Sequence, residues 1–172
     1  MEASLETNTF QEKKQYGGFW IRFAASLIDS IVVGIPMAIL IIIIGFMLFN
    51  STGAIDAMMT DPAYMEQELT DEEAIALLGT YLVSVVVSLI VSTLYFAGLH
   101  ASKWQATVGK KLLGLKVTDL NGNRISFWRS LGRYLAMVFL SSILLIGYII
   151  AAFTEKKQSL HDLIAGTVVL RK

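Results

Sequence analysis

Between Asp29 and Asp56 the chain carries no ionisable side chain. A helix over Ser30 to Phe49, at about 1.5 Å per residue, is just long enough to cross a hydrocarbon core of about 30 Å. The stretch is read as a membrane span that begins near Phe19. Arg22 and Asp29 stand at its head, about two turns apart and therefore on one helix face. Near lipid a charged side chain costs roughly 2.5–3.5 kcal/mol even on the lenient insertion scale, so each needs a partner or a task. Two readings fit. Arg22 snorkels to the headgroups while Asp29 caps a polar helix end, or both belong to a buried polar cluster used for function.

Small residues recur at every fourth position in line with the arginine: Ser26, Ser30, Gly34 and Ala38. Small side chains let a second helix come close, and that packing replaces the hydrophobic drive absent inside lipid. This face is expected to be the packed one. Thr70 and Glu73 then form a capping-box signature ahead of a second uncharged stretch of spanning length, Ala74 to Leu99. A hydroxyl stripe of Thr80, Ser84, Ser88 and Ser92 runs along it, suited to hydrogen bonding across to the first stripe or to lining a wet path; helix packing is the reading favoured.

Composition matters through where the charges fall. Of 172 residues 55% are hydrophobic and 16% charged, too few polar side chains to solvate a compact domain. Residues 50–73 hold seven acids, from Asp56 to Glu73, and no Lys or Arg. Residues 100–129 hold Lys103, Lys110, Lys111, Lys116, Arg124 and Arg129, with Asp119 the only acid. Basic residues gather on the cytoplasmic side, which puts the acidic loop outside and the basic loop and N-terminus inside a cell (inner) membrane. Met1 to Tyr16 lacks the basic start and apolar run of a cleavable signal peptide, so residues 1–18 are read as a cytoplasmic tail. There is no cysteine, which removes disulfides, thiolate metal sites and cysteine nucleophiles, and two histidines cannot close a zinc site. No metal and no cofactor are expected. Ser, His and Asp occur without a nucleophile motif, so the chain is read as a non-enzyme whose partner is the lipid bilayer and not nucleic acid.

Gly114-Leu115-Lys116-Val117-Thr118 alternates apolar and polar residues, Asn121-Gly122 is a turn signal, and Arg124-Ile125-Ser126 returns, which predicts a small cytoplasmic β-hairpin. Thr167 to Leu170 has the same strand character. Thr107-Val108-Gly109-Lys110 lacks the earlier glycine and the following Ser/Thr of a phosphate-binding P-loop, and that reading is discarded. A third apolar segment, residues 130–153, follows Ser126 as N-cap with Arg129 and Arg133 one turn apart. It either spans, or re-enters through a break near Ser141-Ser142; Lys156, Lys157, Arg171 and Lys172 beyond it favour a cytoplasmic C-terminus. The fold expected is an all-α membrane protein: a single domain over residues 19–172 with two full spans (about 19–49 and 74–99), the third segment, a C-terminal block 154–172 and the hairpin.

Three blocks, Phe19-Trp20-Ile21-Arg22-Phe23-Ala24-Ala25-Ser26-Leu27-Ile28-Asp29, then Thr107-Val108-Gly109-Lys110-Lys111-Leu112-Leu113-Gly114-Leu115-Lys116-Val117, then Leu160-His161-Asp162-Leu163-Ile164-Ala165-Gly166-Thr167, resemble the RDD family of small, mostly bacterial membrane proteins. The resemblance covers nearly everything from Tyr16 onward except the acidic loop. It implies that Arg22 and Asp29 are the arginine and first aspartate of the family name, with Asp162 the second and Asp119 the fallback. Transport of some ligand is what the resemblance suggests. The expectation is exchange of a monovalent cation against protons by a homo-oligomer, with Asp29 the exchangeable carboxylate; the alternative is a non-catalytic partner that regulates or assembles another membrane protein. Arg22 is expected to be flanked by both aspartates, so that Arg22→Ala destabilises the protein more than Asp162→Asn does and a charge swap of Arg22 with Asp162 partly restores it.

Overall fold

The computed structural model describes residues 15–61, 63–141 and 146–172. Helix α1, Phe19–Asn50, runs unbroken through Pro36 for 32 residues. Helix α2, Ala54–Thr60, and a short 3-10 turn at Tyr64–Glu66 fill the acidic connection. Helix α3, Asp71–Thr93, starts at the predicted capping box, with Glu73 Oε2 accepting the Thr70 backbone N–H at 2.7 Å and its hydroxyl at 2.8 Å. It continues through a π-helical turn, Leu94–Gly98, and a last turn, Leu99–Ala101. Among the described residues two helices are long and apolar enough to cross a membrane, Phe19–Asn50 and Asp71–Ala101. They lie antiparallel: a Cβ on Gly45 would sit 3.2 Å from the Thr80 methyl, while Asp29 and Tyr95 meet at the other end.

Beyond the second long helix the chain builds a small α/β cap. Helix α4 is Val108–Leu112, strand β1 Leu115–Asp119, helix α5 Phe127–Ala136 with a π-helical turn at Met137–Ser141, helix α6 Ile146–Phe153, helix α7 Leu160–Ala165 and strand β2 Thr167–Arg171. β1 pairs antiparallel with β2, Val117 opposite Val169. The local hairpin expected from the basic loop does not form. Asp119 takes the backbone N–H groups of Asn121 and Asn123 on its Oδ1, at 2.9 and 2.8 Å, and holds the chain in a turn. Ser126 then caps α5 by accepting from the Arg129 N–H, which leaves too few residues for a returning strand. The β-branched C-terminal run takes that place.

The far edge of β2 is covered as well. Gln15 to Gly17, placed in the tail by the sequence, lies along it: Gly17 N–H donates to Val169 O at 2.9 Å and Arg171 N–H to Gln15 O at 2.8 Å. Residues 1–14 of that tail lie outside the described residues. Ala25 on α1 meets Leu115, Val117, Ile125 and Val169 in a small apolar core under the sheet. The root of the first long helix is thus fixed to the strands on either side of β2.

The third apolar segment begins and ends at the same end of β2. On its way in, Arg129 donates to Ala165 O at 2.7 Å and Gly166 O at 2.8 Å; on its way out, Gln158 Nε2 donates to Thr167 O at 2.7 Å. Residues 142–145, within which the expected break partly falls, lie outside the described residues.

Candidate functional site

Asp162 sits on the first turn of α7, fully buried, where its carboxylate closes back on Ser159, accepting the N–H at 3.2 Å and the hydroxyl at 2.9 Å. Gly166 ends this helix in the left-handed region (φ 61°), so that β2 departs at once and keeps the helix short. Two guanidinium groups converge on the carboxylate. Arg22 Nη1 pairs with Oδ2, and Arg133 contacts Oδ1 through Nε at 2.8 Å and Nη2 at 2.7 Å. Arg22 is held by Gly17 O, 2.8 Å from its Nε, so the strand-like segment before α1 aims it. Its other terminal nitrogen, Nη2, is buried and finds no hydrogen-bond partner among the described residues. Burial alone would raise the Asp162 carboxyl; Arg133 and then Arg22 more than offset this and hold it well below the ordinary carboxylate range.

Asp29 is not part of that cluster. One turn of α1 beyond Ala25, it faces the start of α4 and accepts three short hydrogen bonds: from Thr107 Oγ1 at 2.6 Å, Gly109 N–H at 2.7 Å and Tyr95 Oη at 2.7 Å. The π-helical turn in the second long helix brings Tyr95 into position. Gly109 is required by the close approach of α4 to α1, since a Cβ there would overlap Ala25 O and stand 3.0 Å from the Asp29 carboxyl. The stretch that failed as a P-loop therefore grips a carboxylate of its own chain.

Between the two aspartates runs a row of basic groups. Arg133 Nη1 lies 3.4 Å from His100 Nδ1, and His100 Nε2 lies 3.2 Å from Lys110 Nζ. Burial, and then the proximity of Arg133, push the Lys110 amine down to about 7. Burial and Arg133 likewise push the His161 imidazole down to about 3. Arg22, Asp29, Lys110 and Arg133 all line one partly open cavity of about 530 Å³, whose walls are otherwise largely apolar, with Phe19, Phe23 and Tyr148 among them. Two guanidinium groups, a lysine amine and one carboxylate thus share a largely apolar wall, polar donors beside hydrocarbon surface. Among the described residues no group of three or more His, Asp or Glu is placed to hold a metal ion.

The other sequence-predicted residues fall elsewhere. Asp119, half-buried, ends β1, its carboxyl lowered by the backbone N–H of Asn123 first of all. Ser26, Ser30, Gly34 and Ala38 are exposed, and the two serines bond their own helix, at Phe23 O and Ser26 O. The packed face of α1 is the one next to it, through Ala25 and Asp29, because α4 and the cap dock there. Thr80, Ser84, Ser88 and Ser92 are half-buried; Thr80 and Ser84 bond back to Ala76 O and Thr80 O, and the three serines flank a shallow groove with Tyr81 and Tyr134. Arg133, Lys110, His100, Tyr95 and Thr107 were missed as site residues. One signal for Arg133 was available: a charge inside an apolar segment needs a partner, the argument applied to Arg22.

The chain is 42% identical over 155 residues to the uncharacterized protein YxaI of Bacillus subtilis (strain 168), covering 90% of this chain and 97% of that protein. It is 28% identical over 177 residues to the uncharacterized membrane protein YteJ of the same organism, covering 99% and 87%. A third relative there, the uncharacterized protein YckC, is 27% identical over 158 residues, covering 88% and 82%. No solved structure matches the chain. The profile of the RDD family matches residues 16–166, a span that takes in α1, both aspartate sites and the cap up to the end of α7. With two spanning-length helices rooted in the cap that holds Arg22, Asp29 and Asp162, the chain belongs to the RDD family and is a membrane protein of it.

Proposed function

We propose that this protein draws a monoanionic amphiphile from the bilayer into the cavity beside α1. The head would lie against Arg22, Lys110 and Arg133, and the hydrocarbon along Phe19, Phe23 and Tyr148. The carrying observation is the buried Nη2 of Arg22, without a partner on a residue that lines the cavity. An unpaired buried donor costs about 1–3 kcal/mol, which an arriving anion relieves. A phosphodiester suits the place, a single charge with several acceptor oxygens for several donors. Phe23 and Trp20 on the outer side of α1 are exposed, as suits residues that meet lipid. On the same reading the cap is cytoplasmic, since the basic loop and the basic C-terminal block both belong to it.

Exchange of a monovalent cation at Asp29 has less support. Both of its oxygens are engaged by donors, and the cavity it lines is otherwise cationic. A second reading, a partner of itself or of another membrane protein, draws on the exposed Gly34 and Ala38 face of α1, which no described helix of the chain covers.

The test is calorimetric titration of the protein in a non-ionic detergent with dihexanoyl phosphatidylglycerol, dihexanoyl phosphatidylcholine and inorganic phosphate. Binding of the first alone is expected, weakened roughly tenfold or more, about 1.4 kcal/mol, by Arg22→Gln. Equal binding of the zwitterion, or indifference to Arg22→Gln, would overturn the proposal; inorganic phosphate binding as tightly would make the ligand a free anion. For the cation reading, Asp29→Asn in liposomes should abolish cation-driven proton movement.

A further inference from the structure

His100 is buried between two cationic side chains, with Nδ1 3.4 Å from Arg133 Nη1 and Nε2 3.2 Å from Lys110 Nζ. A guanidinium only donates, so Nδ1 has to supply the lone pair that faces Arg133. A neutral imidazole has one lone pair, which puts its hydrogen on Nε2, directed at Lys110. That contact is a hydrogen bond only if Nζ accepts, as an uncharged amine does and an ammonium does not. An imidazolium would set a donor against a donor on both sides. The row Arg133, His100, Lys110 is therefore consistent with a Lys110 that has given up its proton.

Charge around the cavity points the same way. Facing Lys110 are Arg22 and Asp29 from α1, Arg133 from α5, and Asp162 and His161 from α7, besides His100 from the second long helix. With Lys110 an amine and the imidazoles neutral, two guanidinium groups stand against two carboxylates, and the empty site carries no net charge. A monoanion entering alone would leave one uncompensated negative charge against an apolar wall. A monoanion entering with one proton would not.

We propose that Lys110 takes up a proton when the anion enters, so that the protein binds anion and proton together. The Lys110 lone pair leaves the His100 N–H, accepts a proton from the surrounding water, and the resulting ammonium turns to the anion. The burial that lowers this amine to about 7 is consistent with a group neutral before binding and charged after it. The inference rests on the anion reading of the cavity and adds the stoichiometry of protons.

The probe is dihexanoyl phosphatidylglycerol, whose phosphodiester does not titrate near neutrality, so any pH dependence belongs to the protein. Titration in buffers of different ionisation enthalpy at about pH 8.5 should show uptake of close to one proton per anion, and affinity should fall about tenfold per pH unit above about 7. Lys110→Met should bind more weakly with no pH dependence and no uptake, while Lys111→Met, whose ammonium lies over Trp104, should keep both. Binding by the unaltered protein without proton uptake overturns the coupling and leaves the anion site standing. Uptake that persists in Lys110→Met assigns the proton elsewhere and overturns it too. No binding at any pH removes both proposals. The proton count on the unaltered protein decides the matter even if the variant does not fold.

Discussion

Arg133 holds Asp162 from the side opposite Arg22, with Nε and Nη2 at 2.8 and 2.7 Å from Oδ1, and both residues are withdrawn from solvent. This second guanidinium reverses the order of damage expected from the sequence. Losing Arg22 leaves Asp162 paired with Arg133; losing Asp162 leaves two buried guanidinium groups without a counter-ion.

Asp162→Asn is accordingly expected to destabilise the protein by about 3–5 kcal/mol, and Arg22→Gln by clearly less. Melting of the purified variants in one detergent checks this. An Arg22→Gln variant that melts below Asp162→Asn would return Arg22 to the centre of the cluster.

Acid should weaken the fold in a defined window. The His161 imidazole titrates near 3 in the folded protein against 6.5 in the unfolded chain, so the unfolded state binds its proton first as pH falls. Its contribution is full above about 6.5 and drains until about 3; that of Asp162, also lowered, begins to drain only below the ordinary carboxylate value of about 3.9. The melting temperature should therefore decline between pH about 6.5 and 4, and His161→Gln should flatten that decline while keeping the steeper fall below it.

Gly109→Ala should be among the most damaging single-methyl changes, because the added carbon meets Ala25 O and the Asp29 carboxyl, neither of which is a flexible chain end. Gly34→Ala, with nothing within 4 Å, should be tolerated and is the matched control. Thermal unfolding of both variants decides it; equal melting would mean that α4 does not press on α1.

Orientation can be read by chemistry, since the chain has no cysteine of its own. Met59→Cys, on the exposed side of α2, should react with an impermeant maleimide on intact cells, and Asn121→Cys, at the turn after β1, only after lysis. The opposite pattern would turn the protein over in the membrane.

Much of this architecture was legible in the chain. The two long helices follow from uncharged length, the Thr70 cap from a side chain placed to meet its own N-terminal donors, and the Arg22 to Asp162 contact from the family resemblance together with a buried charge needing an opposite one. Three features were not. Strand β1 finds its partner about 50 residues away because local turn chemistry at Asp119 competes with the hairpin, a contest that alternation of residues does not settle. The packed face of α1 lies one residue from the small-residue stripe, since what packs there is the start of α4, admitted by a glycine outside the span. Asp29 and Arg22 share a helix face in sequence but are claimed by different partners. Helical spacing says which side chains are neighbours, and says nothing of which donors arrive from elsewhere.

The pairing of β2 has a consequence for biosynthesis. The ribosome makes α7 and this strand after both arginines, so Arg22 and Arg133 wait before their shared carboxylate is made. At roughly 5–20 residues per second that wait is of the order of ten seconds for Arg22, a period in which an unfinished chain carries an unpaired guanidinium at the membrane. A chain cut short before Asp162 never ends that wait, and its two arginines stay without the carboxylate they share.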